Sequence, residues 1–308
     1  MNANPLVSIG LPVYNGELFL HKALDSLLAQ THDKFEILIS DNKSNDKTSD
    51  ICKEYCARDS RVKYFPCDTH IVNTANFNRV VRFSQGDYFM WATHNGIWHP
   101  DFIRKCLEGF SISPNVILVG TQCNSIGPDG KEKLSIDQEI HTVGLSPEER
   151  FKKYNSARQI VGGIFYGLFK MEALRKVIPM RIVIANDHLL LGELSFKGEF
   201  VAIQEPLLSK RSGGVSRSFK SIAQAENITN PFIICCPWIS REIMIQKIIL
   251  TQSDLSAGIR LKLSAWSFGV YLRRFGFGNL KAYLLFVVEI CHPEKRITAL
   301  RYKICKKR

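Results

Sequence analysis

The sequence predicts an α/β protein: a mixed, mostly parallel sheet flanked by helices, followed by a helical C-terminal extension. Short β-rich apolar runs alternate with amphipathic segments over the first 125 residues, the pattern of βαβ units. Phe35–Ser40 is nearly unbroken in apolar character, as a strand covered on both faces should be. Beyond about residue 217 the strand-like runs give way to helical ones.

Each element follows from local pattern. Leu6–Leu11 is the expected first strand, followed by the loop Pro12–Gly16 and a helix gathering Leu18, Leu20, Ala23, Leu24, Leu27 and Leu28 on one side. Phe35–Ser40 is the second strand, and Asp41–Asp46 is a run of turn and N-cap residues leading into a helix over Thr48–Arg58. Val62–Phe65 is a third strand, Thr74–Phe83 a helix, Tyr88–Ala92 a fourth strand, and a helix starts from Pro100. Asn115–Cys123 and Gly162–Lys170 read as further strands, the second rich in small and aromatic residues suited to a pocket border. Asp187–Phe196 is helical, ended by Gly198. The stretch Asn124–Arg158 carries no readable pattern. The expected division is an α/β domain over residues 1–217 and a helical, basic region over 218–308.

With 308 residues and 45% hydrophobic content the chain can bury a sizeable core. Nine cysteines without C-x2-C pairing argue against a zinc site and suit reduced thiols in a cytoplasmic protein. The N-terminus has neither the basic start nor the apolar run of a secretion signal. The formal charge of +12 is concentrated late: residues 255–308 hold twelve Lys or Arg against two Glu. Joined to the apolar stretches Trp266–Tyr271 and Ala282–Ile290, this charge suits the anionic inner face of the cytoplasmic membrane, or else a solvated helical face. No reader motif accompanies the charge, which argues against nucleic acid. Pro231–Ser240 and Ala282–Ile290 fall short of the roughly 20 apolar residues of a membrane span.

Ligands of open α/β sheets bind beyond the carboxyl ends of the strands, here Pro12–Gly16, Asp41–Asp46 and Thr93–Trp98. The first loop is not G-x-G-x-x-G, which disfavours a nicotinamide cofactor, and it is not the basic glycine-rich loop that nucleotidyl transfer would want.

Val7–Asn15, Leu38–Thr48, Asn76-Phe77-Asn78 with Gly86–Ala92, and Pro100-Asp101-Phe102 together resemble the family 2 glycosyltransferases of the GT-A fold, over most of residues 5–212. The resemblance implies a nucleotide-diphosphate sugar donor, with Pro12, Tyr14 and Asn15 framing base and ribose and Asp41 accepting hydrogen bonds from the base. It puts Asn76, His94 and Asn95 in the same donor site. Asp41 as a simple turn cap is the competing reading. Asp187, in Ala185–Leu194, matches the family's general base, a carboxylate that takes the acceptor's proton in inverting transfer. An N-cap aspartate is the alternative there. Glu193 reads as structural, and His188 is assigned no role.

Two departures from the family stand out. Mg2+ or Mn2+ is usually held by an Asp-X-Asp or Asp-Asp pair after the fourth strand, where this chain has Thr93-His94-Asn95-Gly96. A histidine that completes the metal shell in many relatives is matched by Ser212. The His94/His99 pair is too sparse for a softer metal. No metal ligand is therefore assigned. Lys210, Arg211 and Arg217, expected on a mobile Ser/Gly-rich loop, are the cations available to the leaving diphosphate. The expectation is an inverting, metal-independent transferase acting on a saccharide or lipid-linked saccharide. The alternative is a catalytically inactive nucleotide-sugar-binding or scaffold protein.

Overall fold

The computed structural model describes residues 4–127, 129–134, 140–157, 163–211, 219–230, 233–234 and 237–291. They form two compact units, one of residues 1–181 and 190–214 and the other of residues 182–189 and 215–308.

The first unit is built on a nine-stranded sheet. Its strands are β1 (Val7–Val13), β2 (Phe35–Asp41), β3 (Val62–Pro66), β4 (Tyr88–Trp91), β5 (Gly96–Trp98), β6 (Val116–Ile126), β7 (Glu132–Leu134), β8 (Leu168–Lys170) and β9 (Glu199–Arg211). The order is β3-β2-β1-β4-β8-β6-β9-β5, with β7 on β6. The first four strands are parallel neighbours, whereas β8 runs antiparallel to β4 and β6, and β5 antiparallel to β9. Helices α1 (Leu20–Leu28), α2 (Thr48–Arg58), α3 (Asn73–Phe83), α4 (Phe102–Gly109), α5 (Pro147–Ser156) and α6 (Met171–Leu174) belong to it too, and α7 (Asn186–Lys197) joins it from Leu190 onward.

The period of two along the strands divides the core between the sheet's faces. Tyr88 and Met90 pack with α1, α2 and α4 through Leu24, Ile51 and Phe102. Phe89 and Trp91 of the same strand pack with Val80, Leu174 and Leu190 on the other side. Leu18, expected on the apolar side of the first helix, is instead 78% exposed in the turn before α1. The helix begins two residues later, at Leu20, where the backbone N–H donates to Gly16 O.

The strand expected over Gly162–Lys170 is shorter: only Leu168–Lys170 is extended, and Gly163–Tyr166 turns. The cause is close approach to β6. A Cβ on Gly163 would lie 2.5 Å from Thr121 O, and one on Gly167 would lie 2.4 Å from Val119 O. Between them Phe165 stacks on Trp91, with centroids 5.0 Å apart and planes at 7°.

Helix α5 lies in the stretch without a readable pattern. Its start is a capping box in which Ser146 and Glu149 satisfy each other's backbone N–H, with Pro147 following. Cys52, Cys106 and Cys123 are buried free thiols, and Cys56 and Cys67 are partly buried.

The second unit contains α8 (Phe219–Ala225), α9 (Pro237–Leu250) and α10 (Ala257–Cys291). Ile245, Ile248 and Ile249 of α9 and Leu263 and Tyr271 of α10 are buried. Glu242 is buried too, its Oε1 accepting from Gln246 Nε2 at 2.6 Å and Ser267 Oγ at 2.9 Å, and burial raises its pKa. Among the described residues no helix is long and apolar enough to cross a membrane.

Arg150 holds α5 to the end of α7. It is 8% exposed and donates to Ser195 O at 2.8 Å, Phe196 O at 3.2 Å and Leu145 O at 2.8 Å. A guanidinium on the last carbonyls of a helix satisfies groups that otherwise have no intrahelical partner. Arg150→Ala is expected to destabilise the α/β unit by about 2–3 kcal/mol, read as a lower urea midpoint at unchanged slope.

Candidate functional site

The tips of the first strands are tied together before any ligand arrives. Val13 is the register partner of Asp41, and Asp41 that of Pro66, so three chain ends finish level. The loop after β1 is then laced to the loop after β2. Asn15 N–H donates to Ser44 Oγ at 2.9 Å, Gly16 N–H to Thr48 Oγ1 at 2.8 Å, and Glu17 N–H to Asp46 at 3.1 Å. In return Asn45 N–H donates to Asn15 Oδ1 at 3.0 Å and Lys47 N–H to Glu17 at 2.9 Å. Asn15 and Lys43 both adopt left-handed backbone, at φ 50° and 58°. Such strain in non-glycine residues persists only where surroundings impose it, and it gathers at functional sites.

Asp41 is 3% exposed. Its Oδ1 accepts from Ser44 N–H at 2.9 Å and Ser44 Oγ at 2.6 Å, and its Oδ2 accepts from Tyr64 OH at 2.8 Å. The carboxylate therefore shapes its own loop and retains little acceptor capacity beyond that. Burial and Asp41 hold the Tyr64 hydroxyl protonated, with its pKa pushed up to about 12. Pro12 is buried at the end of β1, and the ring of Tyr14 is 45% exposed beside it. Asn76 is 2% exposed, and its amide grips β2: Oδ1 accepts from Ser40 Oγ at 2.6 Å while Nδ2 donates to Ser40 O at 3.0 Å.

A third tip belongs to the same cluster and was missed by sequence reasoning. After β3, Cys67 N–H donates to Asp41 O at 2.8 Å, and Ile71 is held from both sides by the Asn42 amide at 2.8 and 2.7 Å. His70 donates from Nδ1 to Asn42 O at 3.0 Å, and its ring meets Tyr14 edge-on with centroids 4.6 Å apart. The rule that ligands gather beyond parallel strand ends applies to β3 as to its neighbours, and the turn-rich Pro66–Thr69 marks that end.

Beyond β4 the chain arches across to the far edge of the sheet, where β5 pairs with β9. Asn95 Oδ1 accepts from Thr93 Oγ1 at 2.7 Å, and Asn95 O accepts from Arg211 N–H at 3.4 Å. Gly96 stands opposite Lys210 in the ladder. His94 lies near Asp46, and burial lowers its pKa against that carboxylate's opposing pull.

Lys210 and Arg211 end strand β9, contrary to the expectation of a mobile loop, because β5 gives their backbone a partner. Lys210 Nζ sits 4.4 Å from the Tyr166 ring centroid, and the Arg211 guanidinium 4.6 Å from that of Phe19. Ser212 and Arg217 lie outside the described residues.

The described residues at this tip do not fit a divalent cation. Among the described residues no group of three or more His, Cys, Asp or Glu could hold a metal. At position 96 any Cβ would lie 2.6 Å from the Trp98 indole, so a carboxylate could enter only if that 2% exposed ring moved.

Asp187 belongs to the second unit and opens α7. Its N–H donates to Asn186 Oδ1 at 2.8 Å and its own Oδ1 accepts from His188 N–H at 2.9 Å. Ala185, two residues earlier, is left-handed at φ 61°, a conformation that costs a non-glycine residue about 1–2 kcal/mol. Glu193, in the first unit, pairs with Arg181 at 2.6 Å. His188 has its pKa lowered by burial against the pull of Asp187.

A groove of about 870 Å3 opens at the opposite, amino ends of the strands, between Asn4, Thr31, Asp87, Arg104 and Lys170. Its lining mixes both charges and has no part in the strand-tip cluster.

The family described as glycosyl transferase family 2 matches residues 8–177, more than half of the chain. An uncharacterized glycosyltransferase of Rickettsia typhi is 31% identical over 151 residues, 49% of this chain and 43% of that protein. The chain thus spans under half the length of this and the other curated relatives it matches first. Among solved structures, Staphylococcus aureus TarS 1-349 in complex with UDP-GlcNAc superposes with TM-score 0.63 at 13% identity, over 88% of this chain and 75% of that one. A mannosyltransferase of Pyrobaculum calidifontis in complex with GDP-Man and Mn2+ superposes with TM-score 0.52 at 14% identity, over 99% and 86%. The fold is accordingly GT-A-like, and the chain belongs to glycosyl transferase family 2.

Proposed function

We propose that this chain is an inverting glycosyltransferase that takes a sugar from a nucleoside-diphosphate donor and balances the departing diphosphate with Lys210 and Arg211. The observation that carries this reading is the β5–β9 pairing, which sets Lys210 opposite Gly96, where the family resemblance implies an acidic pair. The similar structures are complexes with UDP-GlcNAc and with GDP-Man, which supports a uridine or guanosine diphosphate sugar as donor.

In the proposed reaction the acceptor hydroxyl oxygen attacks the anomeric carbon and forms the new glycosidic bond. Its proton passes to the Asp187 carboxylate as the bond from carbon to the diphosphate oxygen breaks, and the electron pair leaves with the diphosphate. Two features support Asp187 as base: the strained Ala185 before it, and an Oδ2 with no hydrogen-bond partner among the described residues. The charge that builds on the diphosphate is met by fixed cations, which act most strongly where water is excluded.

The packing of Trp98 on Gly96 favours a second reading, in which the donor pocket is kept and catalysis is lost. Turnover after EDTA separates the two. Transfer or donor hydrolysis is expected to survive chelation and to fall at least about 100-fold in Lys210→Met/Arg211→Met. Activity that vanishes with EDTA and returns with Mn2+ would overturn the metal-independent reading, and no activity in any condition would favour the binder.

Asp187→Asn is expected to lower kcat by about 100- to 10,000-fold while donor affinity stays within twofold. A small effect on kcat would leave Asp187 as a helix cap.

The acceptor is proposed to be a saccharide or lipid-linked saccharide at the inner membrane face. Support comes from α10, where Leu261 and Phe268 are 65% and 46% exposed at helical spacing and Lys262, Arg273 and Arg274 are exposed along the same helix. The protein is expected to float with vesicles containing anionic phosphatidylglycerol but not with phosphatidylcholine alone, and Leu261→Ser/Phe268→Ser is expected to abolish flotation. Equal flotation of that variant would exclude this face.

A further inference from the structure

The geometry points to His70 as a nucleoside-contacting residue whose Nε2 accepts a hydrogen bond from the donor's nucleoside. This inference rests on the donor-site reading and adds a specificity-determining side chain to it.

The loop that carries His70 is rigid for reasons independent of the imidazole. Its start is pinned where Cys67 N–H meets Asp41 O at 2.8 Å, and its end where Ile71 exchanges two hydrogen bonds with the Asn42 side chain at 2.8 and 2.7 Å. Arg79 adds a clamp beneath, donating to Phe65 O at 2.7 Å and Pro66 O at 3.0 Å. The imidazole is thus delivered to the strand tips by backbone that other residues hold in place.

The tautomer follows from the partner. Nδ1 lies 3.0 Å from Asn42 O, and a carbonyl oxygen can only accept, so Nδ1 carries the proton. In the neutral ring Nε2 then holds a lone pair. The side chain is exposed, and its ring stands edge-on to Tyr14 with planes at 65°. Tyr14 itself is 45% exposed, so the two rings make an aromatic corner beside Asp41 with one face open to solvent.

A flat base fits against the tyrosine ring, and its imide N–H or the ribose hydroxyl can donate to Nε2. The contact reaches only the nucleoside: the cations assigned to the diphosphate, Lys210 and Arg211, belong to β9 at the other side of the tip.

Calorimetric titration with UDP, GDP, their 2′-deoxy forms and pyrophosphate tests the assignment. For whichever nucleoside diphosphate the unaltered protein binds most tightly, His70→Ala is expected to weaken binding about five- to tenfold, as loss of one hydrogen bond would, with pyrophosphate unchanged. His70→Phe, which keeps a ring against Tyr14, is expected to lose nearly as much, since the acceptor is gone. Thr69→Ala, in the same loop, should bind as the parent does. If the 2′-deoxy ligand already binds as weakly to the parent as the ribose form does to His70→Ala, the donor is the 2′-hydroxyl. If not, it lies elsewhere on the nucleoside. Unchanged nucleotide affinity in His70→Ala, or equal weakening of pyrophosphate, would overturn the inference while leaving the donor site standing. Failure of the parent to bind any of these nucleotides would overturn the donor site itself.

Discussion

The structure depends on one constraint: parallel strands β1 and β2 must end in register, so that the loops after Val13 and Asp41 can satisfy each other's backbone. Once Val13 and Asp41 are level, the donors of residues 15, 16 and 17 find acceptors on Ser44, Thr48 and Asp46 without leaving the tip. A slip of one residue would also turn Ile9 and Ile37 away from their core, so hydrophobic burial and loop chemistry enforce the same register. The left-handed Asn15 and Lys43 are tolerated because this lacing over-determines them.

Buried polar groups serve that register more than they await a ligand. Asp41 organises Ser44 and Tyr64, Asn76 grips the hydroxyl and the carbonyl of Ser40, and Asn42 fixes the loop of Ile71. A preorganised site of this kind pays its ordering entropy during folding, so that a ligand meets rigid walls. The consequence is a division at the tip: Asp41, Asn42 and Asn76 are buried and set the geometry, and the rings of Tyr14 and His70 stand exposed.

The legible part of the fold was the part with short-range pattern. Thr48–Arg58 could be read to the residue, and β1, β2 and β4 to within two, because apolar alternation and N-cap residues are local signals. Strand β9 was not legible, since Glu199–Arg211 includes Gln204, Glu205 and Pro206 and becomes a strand through its long pairing with β6 and its pairing with β5. For the same reason Lys210 and Arg211 were assigned to a loop: pairing with Gly96–Trp98 is invisible in a local window. The Ser146 capping box was present in the sequence but lacked an apolar periodicity to mark it. Within the site, Asp41, Tyr14 and Asn15 came from a resemblance, whereas His70 needed the three-dimensional fact that β3 ends level with β2.

The residues around position 96 form a consistent electrostatic set. Residues directly opposite in an antiparallel pair share a face, so a carboxylate at 96 would stand beside Lys210. At about 4 Å and an effective dielectric of about 20 that attraction is near 4 kcal/mol, enough to commit the lysine to the carboxylate and remove it from any anionic ligand. Glycine leaves the face open, Trp98 fills the space a side chain would have taken, and Lys210 rests instead on the neutral ring of Tyr166. A cation–π contact holds the ammonium in place without neutralising its charge. A position 96 without a carboxylate and a Lys210 that keeps its charge are therefore one feature seen from two strands, and the proposed role of Lys210 toward a diphosphate rests on that feature.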